Sequence, residues 1–279
     1  MRKILILLLS LFSTTTFAKK NTVEIAKAIT AEGKMLYKSE MASWFGTDIF
    51  LEVYENKENI GGYFSYSKND SAKCIFFSKE ENPKVIGTIT FDSTYNLKIA
   101  DVNLKERAFT STEKDFFELR KLAKSAIVSD TLFKYYKNTS FNIIPIINEN
   151  EKKVYVLTGP KTNGTIIFGN DYLLTFNRNN KIVQKKALHK NIIPFEYETV
   201  GESESTMHSN LPETGDFITA TDICTLMLYE KMAGWKSHYV ISKNYWSIWN
   251  CETNTLAIIS SKVMEKINKD QEKRNAVKE

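Results

Sequence analysis

Residues 172–185, Tyr-Leu-Leu-Thr-Phe-Asn-Arg-Asn-Asn-Lys-Ile-Val-Gln-Lys, decide the fold class. Two short runs rich in aromatic and branched residues flank Asn177-Arg178-Asn179-Asn180, and turn formers between two such runs read as a hairpin. The same pattern recurs upstream in Gly164-Thr165-Ile166-Ile167-Phe168-Gly169, Val154-Tyr155-Val156-Leu157-Thr158 and Asn142–Ile147. It recurs again between Thr47 and Ile99, in Ile49–Tyr54, Gly61–Tyr66, Cys74–Phe77 and Ile86–Phe91, with Asn69-Asp70 and Asn82-Pro83 as turns. An antiparallel meander is the expected arrangement. Downstream, His238–Ser242 and Tyr245–Trp249 are joined by Lys243-Asn244 as a tight hairpin, and Leu256–Ile259 adds a strand.

Helical spacing is sparser. Thr22 to Ser43 reads as a helix with Ile25, Ala26, Ile29 and Leu36 near one face and Gly33 as a weak point. A second helix is expected to start at a capping box formed by Thr112 and Asp115 and to run to about Tyr136, burying Phe116, Leu119, Ala123, Ala126 and Ile127. A third spans about Thr221 to Met232 and buries Ile223, Leu226 and Met227, and Ser260 to Glu279 is a charged helix or tail. The fold class is therefore α+β, antiparallel sheets with a few covering helices. The polar run Asn148–Lys153 marks the expected boundary, giving an N-terminal region 19–150, a C-terminal region 151–260 and a charged segment 261–279.

The N-terminus carries Arg2 and Lys3, an apolar run from Ile4 to Phe12, and Thr16-Phe17-Ala18 before Lys19. Basic, apolar and small residues in that order read as a secretory signal peptide over residues 1–18, so the mature chain is expected in the periplasm or outside the cell. The apolar run is well short of the roughly 20 residues that span a bilayer, and no stable membrane insertion is expected. Without residues 1–18, 36 basic side chains face 33 acidic ones across 261 residues. Lysines and glutamates alternate without a basic block carrying stacking aromatics, which argues against nucleic acid. Three cysteines, Cys74, Cys224 and Cys251, exclude a disulfide framework and leave either one bridge or buried thiols.

The chemistry gathers in Met207-His208-Ser209-Asn210-Leu211-Pro212 and Thr219-Ala220-Thr221-Asp222. A hydrolytic zinc needs three protein ligands and one open position. Here His208 and Asp222 are two candidate ligands, and Asn210 stands where a second histidine is needed; a neutral amide oxygen is a weaker zinc ligand than imidazole. His189 or His238 is the remaining source of a third ligand, since the chain has three histidines. Thr219 and Asp222 also have capping-box spacing, so Asp222 equally serves the start of the third helix. Cys224 lies among apolar helix residues and reads as a packing thiol. Tyr239, Tyr245, Trp246 and Trp249 offer a carbohydrate or peptide face, although strand alternation puts Tyr245, Ser247 and Trp249 on one side and Trp246 and Ile248 on the other, so one set belongs to the core.

The order strand, His208-Ser209-Asn210, Pro212 loop, Thr219-Ala220-Thr221-Asp222, helix and hairpin resembles the JAMM metallopeptidases, also called MPN or JAB proteins. Their motif runs His-x-His-Pro, a spacer, then Ser or Thr, two residues and Asp opening a helix. The resemblance covers roughly residues 165–250. It implies that His208 and Asp222 match zinc ligands and that Thr219 matches the hydroxyl residue near the reacting carbonyl. Asn210 departs from the second ligand and Leu211 stands before the proline. The upstream glutamate base of the family has candidates in Glu196, Glu198, Glu202 and Glu204, none in a family context. Gly169-Asn170-Asp171-Tyr172 and Lys185–His189 also resemble secreted bacterial proteins in which a Gly-x-Asp-Tyr hairpin precedes such a loop, a resemblance that speaks to fold and not to activity.

The expectation is an exported protein, non-catalytic, that binds a protein, peptide or envelope component on a degenerate JAMM-like scaffold, with candidate site residues His208, Asn210, Thr219 and Asp222 and no cofactor. The alternative is a zinc-dependent peptide or isopeptide hydrolase.

Overall fold

A computed structural model of the chain describes residues 2–68, 71–197 and 205–276, and the expected turn at Asn69-Asp70 lies outside them. The chain divides into two units, Lys34–Glu198 and Met1–Gly33 together with Thr199–Glu279. The class is α+β, as the strand and helix patterns require.

Helix α1 (Arg2–Val53) contributes residues to both units. It continues through the run Ile49–Val53, where a strand was expected. Leu36, Ser39, Ser43 and Phe50 are buried at intervals that place them on one helical face. Phe50 stacks on Phe76 with ring centroids 3.8 Å apart, and a Cβ on Gly87 would stand 2.3 Å from the Phe50 ring. Burying one such ring is worth about 1.5–3 kcal/mol, enough to override the weak local preference of a branched run for the extended state.

In the 34–198 unit, β1 (Ile60–Lys68), β2 (Ser71–Ser78), β3 (Val85–Phe91) and β4 (Asp101–Asn103) form the expected meander in sequential antiparallel order. Helix α2 (Ser111–Ser129) starts two residues earlier than its expected box: Thr110 is the N-cap and Glu113 closes the reciprocal bond, while Asp115 is bonded to Lys152 and Asn180 instead. It ends at Ser129, because Asp130 leaves the helical conformation and its side chain accepts the amide of Leu132. The expected inner face holds: Leu119, Ala123, Ala126 and Ile127 pack with Val154, Val156 and Leu174.

Those last residues belong to a second sheet, in the order β5 (Thr139–Ile147), β6 (Lys152–Pro160), β8 (Tyr172–Phe176) and β9 (Ile182–Ala187), all antiparallel. The expected boundary near residue 150 falls in its first hairpin, where Ile147 pairs with Lys152 and the Asn148 side chain accepts the amides of Asn150 and Glu151. The polar run is a turn, and residues 151–197 fall in one unit with residues 34–150. Strands β7 (Thr165–Gly169) and β10 (Ile192–Glu196) pair separately.

In the other unit, β11 (Ser205–Ser209) runs parallel to β12 (Ser237–Ile241), which is followed antiparallel by β13 (Tyr245–Asn250) and β14 (Thr255–Ser260). A parallel neighbour needs a crossover, and α3 (Ala220–Ala233) supplies it. Buried Ile223, Cys224 and Leu226 on α3 and Val240 and Trp249 on the sheet form the core, and the Trp249 indole donates to the Glu230 carboxylate at 3.1 Å. The charged C-terminal segment is helical as α4 (Ser261–Ala276). Among the described residues no helix is long and apolar enough to cross a membrane.

Candidate functional site

Period-two alternation puts Thr206 and His208 of β11 on the inner face of the sheet, and the parallel register sets Thr206 beside His238 and His208 beside Val240. On the next strand Trp249 lies opposite His238 and Ser247 opposite Val240. The rows Thr206–His238–Trp249 and His208–Val240–Ser247 therefore face the same side. His208, His238, Ser247 and Trp249 are all buried there.

The polar side chains in these rows form a chain. The Thr206 hydroxyl lies 2.7 Å from His238 Nδ1, His238 Nε2 lies 3.0 Å from His208 Nδ1, and His208 Nε2 lies 4.0 Å from Asp222 Oδ2. Burial first, and then the neighbouring His208, push His238 down to about 3, with Asp222 opposing. Two imidazoles joined nitrogen to nitrogen share one proton, so the chain has two directions. When Thr206 donates, His238 donates to His208, and His208 carries its remaining proton on Nε2 toward the carboxylate. When the direction reverses, the Nε2 lone pair faces Asp222, an arrangement that needs a cation between them.

Asp222 is fixed from its own helix. It is fully buried, its Oδ2 accepts both the amide and the hydroxyl of Thr219 at 2.9 Å, and its own amide donates back to the Thr219 hydroxyl at 3.1 Å. This is the reciprocal capping box anticipated from the spacing. The carboxylate also meets the positive end of the α3 dipole. Asn210 is committed elsewhere: its side-chain amide donates to the Phe217 carbonyl at 2.8 Å, and its backbone amide to Ile241 at 2.9 Å. It closes the 210–217 loop onto itself and onto β12.

Of the sequence-named candidates, the structure brings His208, Asp222 and Thr219 to the head of α3, with Asn210 in the loop that leads there. A metal coordinated at about 2.0–2.2 Å fits between ligand atoms up to about 4 Å apart, so His208 Nε2 and Asp222 Oδ2 can share one. Both ring nitrogens of His238 are engaged by Thr206 and His208, which makes it the group that orients His208. His189 lies in the 34–198 unit, where its Nδ1 is 3.6 Å from Asp171 Oδ2. Among the glutamates expected as a base, Glu196 is exposed on β10, and Glu198, Glu202 and Glu204 lie outside the described residues. Cys74, Cys224 and Cys251 are buried and none is in a disulfide, the second of the two cysteine expectations.

The two aromatic sets divide as alternation requires: Ser247 and Trp249 are buried, while Trp246 and Ile248 are half-buried on the opposite face. The register places Tyr239 opposite Ile248, Ile241 opposite Trp246, and Met207 beside Tyr239. Met207 is 59% exposed, so that face is apolar and open at its β11 edge. Sequence reading missed Thr206 and the orienting role of His238. The available signal was the two-residue spacing of Thr206 and His208, which puts both on one side of a strand. No protein-family model matches the chain, and no curated protein or solved structure matches it either.

Proposed function

We propose that the chain is an exported protein that works by binding, on a degenerate JAMM-like scaffold, and that its partner is a protein, peptide or other envelope component. The observation that carries this reading is the commitment of the Thr219 hydroxyl to the helix cap. In a hydrolase built on this motif the residue at 210 would hold the metal and the hydroxyl at 219 would face the reacting carbonyl. Here the Thr219 hydroxyl donates to Asp222, and the Asn210 side-chain nitrogen donates to the Phe217 carbonyl, which ties that side chain into its own loop. The half-buried face bearing Met207, Tyr239, Trp246 and Ile248 supplies apolar and aromatic contact area of the kind that marks interaction surfaces.

A second reading, a zinc-dependent peptide or isopeptide hydrolase, is favoured by one observation. His208 Nε2 and Asp222 Oδ2 lie at a metal-sharing distance, with the other His208 nitrogen held by His238. One experiment separates the two. The species exported by the cell, whose N-terminus mass spectrometry is expected to place within a few residues of Lys19, is given one equivalent of zinc and a panel of peptide and isopeptide substrates. The binding reading expects no turnover. Turnover that disappears in His208→Ala would establish the hydrolase in its place.

A further inference from the structure

Positions 40 and 120 carry charge where the helix pattern calls for apolar side chains. One turn separates Glu40 from Leu36 on α1 and Arg120 from Phe116 on α2, and both of those neighbours are buried. The two charged side chains therefore turn into the 34–198 unit, where each is half-buried. Tyr63 of β1 and Asn142 of β5, also half-buried, meet them there. The Arg120 guanidinium carbon lies 5.4 Å from the centre of the Tyr63 ring, and the Asn142 side-chain amide donates to Glu40 Oε2 at 2.7 Å.

Hydrogen bonding around the guanidinium is incomplete. Arg120 Nε is buried without a partner, and neither Nη group bonds to any of the described residues. Glu40 lies near enough to feel the Arg120 charge, yet the two form no ion pair. A buried N–H without an acceptor costs stability. A guanidinium laid on an aromatic face with its fork unengaged is the geometry that receives a planar anion through two parallel hydrogen bonds.

Glu40 sets the charge that such an anion can carry. Burial raises its carboxyl to about 7, with the Asn142 bond and the Arg120 charge opposing. The other titratable groups facing this cluster are Tyr63 and the Cys74 thiol of β2, both pushed up by burial and so uncharged near neutrality. In its neutral form Glu40 offers a proton where its ionised form would repel an anion. We propose that Arg120 and Glu40 bind a carboxylate, the guanidinium donating to its two oxygens and the neutral Glu40 carboxyl donating to one of them. Tyr63 holds the guanidinium plane as a positioning residue. A singly charged carboxylate is favoured over phosphate, whose second charge would oppose Glu40 as that group ionises. The ligand is a small carboxylate or the C-terminus of a peptide. The inference goes beyond the binding reading and needs neither the JAMM resemblance nor the site at the head of α3.

The test is an NMR titration of the full chain at pH 6 and pH 8, following the Arg120 Nε–H and Asn142 side-chain amide signals. The probes are sodium acetate, N-acetyl-trialanine as the free acid, the same peptide as its C-terminal amide, and inorganic phosphate. Acetate and the free acid are expected to shift both signals, and the amide neither. With the neutral form of Glu40 as the binding form, acetate is expected to bind about tenfold more tightly at pH 6 than at pH 8. Arg120→Lys keeps the charge and loses the fork, and is expected to weaken acetate by about tenfold or more. Glu40→Gln preserves the shape and removes the ionisation, so it is expected to bind at pH 8 as tightly as the wild type does at pH 6. A free acid held about tenfold more tightly than acetate identifies a peptide C-terminus, and a smaller margin a small carboxylate. The assignment is overturned if no probe moves the signals, if the amide binds like the free acid, or if phosphate outcompetes acetate at pH 8. It is equally overturned if Arg120→Lys binds as the wild type does, or if the pH dependence survives in Glu40→Gln.

Discussion

Helices α2 and α3 begin with the same device and place it in different surroundings. At α2 the Thr110 hydroxyl accepts the Glu113 amide and Glu113 accepts the Thr110 amide; at α3 Thr219 and Asp222 do the same. The Glu113 carboxylate is then neutralised by both guanidinium nitrogens of Arg107, at 2.6 and 2.8 Å, and that arginine is about one-third exposed. Burial works to raise the Glu113 carboxyl, but the Arg107 and Thr110 bonds outweigh it and hold it below the usual range. Asp222 is fully buried, and across from it stand the linked imidazoles of His208 and His238. A cap needs only a helix start, whereas a pair of buried histidines beside it is a costly addition that capping does not require. The difference is one of surroundings: one acid is capped and paired to a half-open arginine, the other is capped and set against buried imidazoles.

The largest effect expected from this contrast lies in deleting the two acids. Asp222→Ala removes the cap and the acceptor that faces the buried His208 ring, and a loss of about 2–5 kcal/mol is expected from the two together. Glu113→Ala also removes a cap, but Arg107 relaxes into solvent, so roughly 2 kcal/mol is expected. Urea midpoints of the two variants measure the gap, and equal losses would erase the distinction.

Acid titration comes next. Folded His238 stays neutral, held down to about 3, while the unfolded chain takes up that proton below about 6.5. The unfolded state then binds more protons, so stability of the unit containing His238 falls as pH drops below about 6.5, by up to about 1.4 kcal/mol per pH unit. The 34–198 unit contains a group of opposite sign. Burial raises Glu40 to about 7, against its Asn142 bond and the charge of Arg120. The stability Glu40 contributes is full below about 4.5 and is lost as pH rises through about 7, so acidification over that range favours this unit. Glu113, with its lowered carboxyl, gives up stability only at still lower pH. Hydrogen exchange at pH 7 and pH 5 is expected to show weaker protection in α3, β12 and β13 and protection kept or increased near Glu40. Parallel loss in both would break the comparison.

The smallest effect belongs to the caps themselves. Thr110→Ala and Thr219→Ala each remove one hydroxyl that accepts a helix amide, and each is expected to cost about 1 kcal/mol by thermal or urea unfolding. A much larger loss at Thr219 alone would mean that its hydroxyl serves the imidazole chain as well as the helix.

What the sequence revealed follows the range of the interactions. The Asn177–Asn180 turn, the Lys243-Asn244 hairpin and the Thr219–Asp222 box were legible because each is decided within a few residues. The start of α2 was misplaced by two residues because Thr110 with Glu113 and Thr112 with Asp115 have equal spacing, and the partners that distinguish them are Arg107 for Glu113 and the distant Lys152 and Asn180 for Asp115. The run Ile49–Val53 reads as a strand on local preference and is helical because Phe50 meets Phe76 and Gly87, both far along the chain. The polar run at 148–153 mimics a linker because turns and linkers share a composition. At the site, His208 and Asp222 were found from a motif, but the orienting bond from His238 depends on β11 lying parallel to β12 across a helical crossover, a pairing no local pattern encodes.

The account stands most directly on the state of His238, whose burial and double engagement make the head of α3 more than a cap. Its ring signals, followed by NMR from pH 8 to pH 4, are expected to stay those of a neutral imidazole throughout, with Nδ1 bonded to Thr206 and Nε2 to His208. A midpoint near the ordinary value of about 6.5 in the folded protein would contradict it and leave Asp222 as a cap like Glu113.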